Sequence, residues 1–197
     1  MSAIVESQHP PATVNGEGVR AHRWTRAEYH RLGEEQFLKG KRTELIRGEI
    51  IDMSPRNWPH VVACRKVAEI LERAFAGIGW VARQEPLNLI ESEPEPDVAV
   101  IEGRFEDYAD HPTKALLVVE VADSTFKYDT TTKADLYAEK GIPEYWVLDL
   151  DGRQLIVFRD PTSNASGLKY RTRQTLAVGQ SITPLNATSA QIRRAHV

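Results

Sequence analysis

Glu120 stands in the run Leu116-Leu117-Val118-Val119-Glu120-Val121, where every neighbour is apolar. Such a run reads as a strand inside a sheet, and a carboxylate there is costly unless it is paired, protonated or bound to a metal. Asp97 opens a second apolar run, Asp97–Ile101, directly after Pro96, so its carboxylate stands at a strand mouth. If the two strands are antiparallel with 97 opposite 120, then 99 faces 118 and 101 faces 116, which matches small and apolar residues across the ladder. Two carboxylates side by side repel unless a cation lies between them. Oxygen donors of this kind suit Mg²⁺ or Mn²⁺, with Asp97, Glu120 and the Val121 carbonyl as ligands. The pattern offers no nitrogen or sulfur cluster for zinc. Lys133 follows on a helix, about one turn in, sharing a face with Leu136 and Tyr137. A lysine on a sheet-facing stripe needs an acidic partner, and its ammonium could orient a water or offset phosphate charge. Each residue also has a structural reading: Glu120 reaching solvent at a strand end, Lys133 snorkelling along a helix edge.

Other residues carry weaker signals. His60, at the start of a long helix, reads more readily as a structural residue than a catalytic one. Cys64 has no evident base partner and reads as a small buried residue. Trp24, Trp58, Trp80 and Trp146 read as core and rim packing. Glu49 either joins Glu44 or faces water.

The elements that must position these residues are legible in outline. Residues 1–20 are rich in Pro, Ser, Gly and Asn without an apolar period, and are expected to be a disordered tail. Thr25 and Glu28 form a capping-box pattern that starts a helix to about Glu35. The segment TELI-RG-EIIDM predicts a hairpin turning at Arg47-Gly48, with Glu44, Ile46, Glu49 and Ile51 on one face. From His60 to Ala76, apolar residues recur at spacings of three and four, which predicts a long amphipathic helix. Strands are expected at Trp80–Arg83, Asp97–Ile101, Leu116–Val121, Tyr145–Leu150 and Gln154–Arg159, and a second helix at Thr130–Lys140, closed by Gly141 and Pro143. The fold class is α/β with a mixed sheet: helix-strand-strand-strand-helix-strand, preceded by a hairpin and followed by a strand. One domain over 21–185 is expected, with a loose end at 186–197.

Composition narrows the function classes. A chain of 197 residues with 41% hydrophobic and 27% charged residues has an ordinary globular mix, neither disordered nor fibrous. The longest apolar run, Ala115–Val119, is far below the ~20 residues of a membrane span. The opening residues lack a signal-peptide pattern and there is one cysteine, so the expectation is a soluble, cytoplasmic protein with no membrane partner. The net charge of −3 argues against a simple nucleic-acid coat. Residues 85–110 hold nine acids against one base, and residues 151–197 seven bases against two acids. That asymmetry allows a metal site beside a phosphate-contacting surface, or two solvated faces.

Five segments in order, TELIRGEIIDMSP with His60, PEPDVAV, LLVVEVADST, Asp129–Lys133–Tyr137 and GIPEYWVLD, resemble the Uma-type restriction endonucleases of the PD-(D/E)xK nuclease superfamily over about residues 25–160. The resemblance implies a restriction-endonuclease-like fold and Mg²⁺-dependent cleavage of DNA. It implies that Asp97 and Glu120 hold the metal, that Lys133 acts on the attacking water, and that Glu44 is an accessory acid. The superfamily pattern puts lysine two residues after the glutamate, where this chain has Ala122. The resemblance suggests that the role has moved to Lys133, with Lys127 the other candidate. Cutting both strands would favour a homodimer, and the apolar stretch after Gln154 is a place for its interface. Two other readings remain: a nucleic-acid-binding or interaction module that keeps the scaffold without cutting, and a hydrolase of small phosphate esters.

Overall fold

The computed structural model describes residues 20–164 and 167–193. The expected tail, but for its last residue Arg20, therefore lies outside the described residues. Helix α1, Arg26–Glu34, begins with the capping box read from the sequence: Thr25 accepts from the Glu28 N–H while the Glu28 carboxylate accepts from the Thr25 N–H. Strands β1, Thr43–Ile46, and β2, Glu49–Asp52, pair with Glu44 opposite Ile51 and Ile46 opposite Glu49. Their turn needs positive φ at both Arg47 (50°) and Gly48 (74°). This is the geometry whose twist suits a two-residue hairpin.

Helix α2, Trp58–Ala74, buries Ala63, Cys64, Val67, Ala68 and Leu71 along the expected stripe. It starts two residues earlier than expected because Asn57 supplies the cap, accepting from the His60 N–H at 3.0 Å, and Pro59 is tolerated in the first turn. A six-stranded mixed sheet follows: β3, Gly79–Ala82; β4, Val98–Glu102; β5, Leu117–Ala122; β6, Glu144–Asp149; β7, Gln154–Asn164; and β8, Gly167–Ala177. They lie in that order across the sheet. All neighbours are antiparallel except β5 and β6, which are parallel and therefore need the helical crossover between them. Alternation along β5 decides what each face meets. Leu117, Val119 and Val121 pack with α2, whereas Val118 and Ala122 face the crossover helix with Leu136 and Tyr137. Glu120 shares the parity of Val118 and Ala122.

The crossover differs from the expected helix at Thr130–Lys140. It begins at α3, Phe126–Tyr128, passes through a π-helical turn at Asp129–Lys133, and continues as α4, Ala134–Glu139. In the sequence the helix is expected to start at Thr130, within the polar run Asp129-Thr130-Thr131-Thr132, whose side chains compete for the backbone. Here the competition is absorbed: the hydroxyls of Thr130 and Thr131 donate to the carbonyls of Phe126 and Lys127 at 2.7 and 2.6 Å. Lys133 thus sits about two turns into the helical stretch rather than one, and both it and Asp129 are buried.

The C-terminal region is also more ordered than expected. β7 and β8 pair along their full length, and β8 exposes most of its side chains, so no apolar alternation marks it. β9, Ser181–Ile182, pairs with β10, Ile192–Arg193; only β10 falls within the 186–197 end expected to be loose, of which residues 194–197 lie outside the described residues. Ile192 and Ala187 are buried in the α2-side core. No helix among the described residues is long and apolar enough to cross a membrane.

The hairpin is fastened to the body by Gly48 N–H to Glu91 O (3.0 Å), Arg47 N–H to Ser92 Oγ (2.8 Å) and Glu93 N–H to Leu45 O (2.6 Å). Glu93 is buried, and its carboxylate takes Arg26 and His30 from α1. These contacts set the place of Glu44. A Cβ on Gly48 would meet the Arg23 Cβ at 2.9 Å in a backbone conformation that side chains disfavour. Gly48→Ala is expected to destabilise the protein by about 1–3 kcal/mol, read as a melting temperature lowered by roughly 2–4 °C per kcal/mol.

Candidate active site

Between the hairpin, the first turn of α2, the ends of β4 and β5 and the crossover helix lies a cleft. Six carboxylates line it, those of Glu44, Glu95, Asp97, Glu120, Asp123 and Asp129, together with the bases Arg42, Arg56, His60 and Lys133. The β4–β5 register is the one the residues suggested: Val98 faces Val119 and Ala99 faces Val118, so 97 falls opposite 120. The Asp97 N–H donates to Glu120 Oε2 at 3.3 Å, and the Val121 N–H donates to Asp97 Oδ2 at 2.9 Å. Both carboxylates are therefore at one sheet end, both are buried, and each is tied to the other's strand.

Lys133 is 1% exposed, and its Nζ donates to Glu44 Oε1 at 3.0 Å and to Glu120 Oε1 at 2.9 Å. Burial disfavours the ammonium, but Glu120, Glu44 and Asp129 more than offset this and hold its pKa well above the ordinary value. It is a fixed positive charge. Tyr137 Oη also donates to Glu120 Oε1, at 2.9 Å. Burial pushes Glu120 up to about 8 despite the Lys133 charge, with Asp97 adding repulsion. Asp97 behaves oppositely. Burial raises it, yet the hydrogen bond and charge of His60, the Val121 N–H and Lys133 outweigh burial and hold it below the ordinary value. Asp129, raised to about 6 by burial despite Lys133 and its bond from Thr125, lies on the same side.

The four acids and bases singled out in the sequence, Glu44, Asp97, Glu120 and Lys133, therefore meet in one place. Lys127 does not join them. It is exposed, and its carbonyl is engaged by Thr131. Glu49 is exposed too and pairs with Arg23. His60 is closer to the centre than its sequence context suggested, with Nε2 3.1 Å from Asp97 Oδ2. Cys64, one turn on, puts Sγ 3.4 Å from His60 Nδ1. Among the described residues, His60, Cys64 and Asp97 form a candidate metal-binding cluster whose ligand atoms all lie within 4.8 Å of one another. This corrects the expectation that nitrogen and sulfur are absent here. The i, i+4 spacing of His60 and Cys64 on one helix face was the available signal. Sequence reasoning also missed Gln84, whose side-chain N–H lies 3.4 Å from Asp97 Oδ1, and Arg56, whose buried Nε has no hydrogen-bond partner. Neither has a periodicity that would reveal it.

The donors present fit a cation. Glu44 Oε2 is buried and accepts no hydrogen bond from the described residues, which leaves a carboxylate oxygen unsatisfied at the cleft wall. Its partner oxygen already takes Lys133 and the Glu95 N–H. A buried orphan of this kind is rare and calls for a ligand or a water.

Several of the bases counted toward the tail charge are paired within the fold. Arg159 is bound by buried Glu144, Lys169 by Asp135 and Arg171 by Asp160, while Arg173 lies over the Phe158 ring. Of the tryptophans, Trp146 is buried, but Trp58 is 76% exposed beside the cleft residue Asn57, so it packs in no core.

Residues 26–195 match the model of the Uma2 family, described as "Putative restriction endonuclease". The chain belongs to the Uma2 family. Among solved structures it is similar to a protein from Anabaena variabilis ATCC 29413, titled a putative nuclease belonging to DUF820. The TM-score is 0.64 at 16% identity, covering 82% of this chain and 94% of that one. At that identity the likeness speaks for the fold alone. No curated protein matches the chain. Family and fold together make this Uma2 protein a mixed α/β domain of nuclease type, consistent with a restriction-endonuclease-like scaffold.

The opposite shifts of Asp97 and Glu120 have a measurable consequence. The unfolded chain loses the Glu120 proton near its ordinary value of 4.5, and the folded chain near 8, so this group's stabilisation is complete below the first value and fades as pH rises through the second. Glu120→Gln keeps the shape of the protonated acid and removes the effect. In chelator-treated protein, the melting temperature of wild type is expected to fall relative to Glu120→Gln between pH 5 and pH 8. A constant difference across that window would contradict the assignment.

Proposed function

We propose that this Uma2 protein is a metal-dependent DNA endonuclease, with Mg²⁺ or Mn²⁺ held by Asp97, Glu120 and the Val121 carbonyl. The observation that carries this reading is the buried ammonium of Lys133 clamped between Glu44 and Glu120 beside Asp97. That group of charges is expensive to build in a core and stabilises nothing that apolar residues would not stabilise better. An ion bound there would supply a Lewis acid and a bound water of lowered pKa.

The chain's own residues have separable parts in the reaction. His60 and the Val121 N–H keep Asp97 ionised and aimed at the cleft. Lys133 orients the attacking water and favours its hydroxide form, and it is too firmly charged to serve as the base itself. Glu44 holds Lys133 with one oxygen and offers the other, unsatisfied one as an accessory acid. Arg56 lines the cleft, its Nη1 donating to Gln84 and its buried Nε without a hydrogen-bond partner among the described residues, and with Arg42 it would offset the charge of a scissile phosphate. Trp58, exposed at the rim, offers a stacking surface. Cutting both strands calls for two centres and hence a homodimer.

An inactive binding module is the reading to exclude, since Ala122 stands where the superfamily pattern has lysine. Lys133 answers it by reaching the same carboxylate from the helix. Supercoiled plasmid incubated with Mg²⁺ or Mn²⁺ is expected to be nicked by wild type, with the rate falling about 10²-fold or more in Lys133→Gln and in Asp97→Asn. Mg²⁺ is expected to raise the melting temperature of wild type but not of Asp97→Asn. Activity retained in Lys133→Gln would move the amine elsewhere. Absence of both cleavage and a metal-induced shift in a folded wild type would favour the binding module.

A further inference from the structure

His60 and Cys64 project from the same face of α2, one helical turn apart, and a carboxylate from another element, Asp97, meets them. Two donors at i and i+4 on a helix plus one from outside is an economical way to build a three-ligand site with an open fourth position. The distances support it. Asp97 Oδ2 to His60 Nε2 is 3.1 Å and His60 Nε2 to Cys64 Sγ is 4.0 Å. The edges of a tetrahedral zinc site with such donors are about 3.3–3.7 Å, so shifts of under about 1 Å would seat an ion. The three ligand atoms lie within 4.8 Å in all.

The same residues make poor nucleophilic machinery. Cys64 is buried, and burial, with Asp97 adding to it, pushes the thiol far above its ordinary value, so the thiolate that would attack a substrate is not available. A soft cation has no such difficulty, because it replaces the thiol proton, which leaves to solvent. Hard cations lack that drive, since Mg²⁺ takes oxygen and avoids thiolate.

We propose that His60, Cys64 and Asp97 bind a thiophilic divalent ion of the zinc type, and that by taking Asp97 this ion inhibits the nuclease centre. The inhibitory part rests on the reading under Proposed function; the binding part does not. The two ions differ in chemistry but share one carboxylate, so occupancy by one withdraws a ligand from the other. His60 also ceases to be a hydrogen-bond donor to Asp97 once its ring nitrogen is metallated.

Co²⁺ titrated into chelator-treated protein, with no nucleic acid present, reads the site directly. The expected result is one equivalent bound with an intense near-ultraviolet thiolate-to-cobalt band and tetrahedral visible bands, bleached by Zn²⁺. The ultraviolet band is absent in Cys64→Ala and Cys64→Ser, whose folding is checked by their melting curves. His60→Asn weakens Co²⁺ binding at least tenfold. In plasmid cleavage with Mg²⁺, the Zn²⁺ concentration that halves the rate rises at least tenfold in Cys64→Ala, relative to that variant's own zinc-free rate. Co²⁺ bound without a thiolate band, or bound equally by wild type and Cys64→Ala, overturns the site. A thiolate band together with zinc inhibition unchanged in Cys64→Ala overturns the inhibitory part. A thiolate band in a protein that never cuts DNA supports the site and counts against the nuclease reading.

Discussion

The Lys133 ammonium, shared between Glu44 and Glu120 in a site from which water is nearly excluded, is the interaction on which the rest of the centre depends. Breaking such a buried pair by removing one partner typically costs about 3–5 kcal/mol, so each of the three elements that meet there is bound to the others by charge. The hairpin brings Glu44, the central strand β5 brings Glu120, and the crossover helix brings Lys133. Apolar residues of similar size would hold those elements together at least as well. The sequence has instead accepted a buried oxygen of Glu44 with no partner and a Glu120 whose ionisation burial opposes. Features of that kind persist where something other than stability maintains them.

The surrounding fold serves this arrangement. Asp129 and Lys133, at the two ends of the π-helical turn, are both buried, and the hydroxyls of Thr130 and Thr131 donate to the carbonyls of Phe126 and Lys127. Turns of this type are often found at functional positions. The hairpin has too few strands to hold its own place, and it is tied down by residues 91–93 and by the buried Glu93 that receives α1. The parallel step between β5 and β6 forces a crossover, and the crossover is the element that carries the lysine.

Much of this was legible in the amino-acid order. Periodicity gave α2, the capping box gave α1, and two β-rich pieces separated by Arg47-Gly48 gave the hairpin. An acid in an otherwise apolar strand pointed to Glu120, and small-to-apolar matching gave its register against Asp97. What escaped were features that depend on distant partners. The start of the crossover helix, residues 126–129, escaped because no side-chain cap marks it; in the sequence the helix is legible only from Thr130. The β7–β8 ribbon was hidden because most of its outer strand faces water. His60 and Cys64 share a helix face at i, i+4 spacing, but their meeting with Asp97 depends on how α2 docks and is not legible from that spacing. Of the basic C-terminal residues, Arg159 is bound by the buried Glu144, whereas Lys169 and Arg171 pair with Asp135 and Asp160 at the surface.

We propose that Asp97 and Glu120 together hold a hard divalent cation in the cleft. Anomalous diffraction from crystals grown with Mn²⁺ tests it most directly. One strong peak is expected within about 2.3 Å of an oxygen of each carboxylate, present in wild type and lost in Asp97→Asn. Crystals with a well-ordered cleft and no such peak, or with Mn²⁺ bound only away from Glu120, would contradict it.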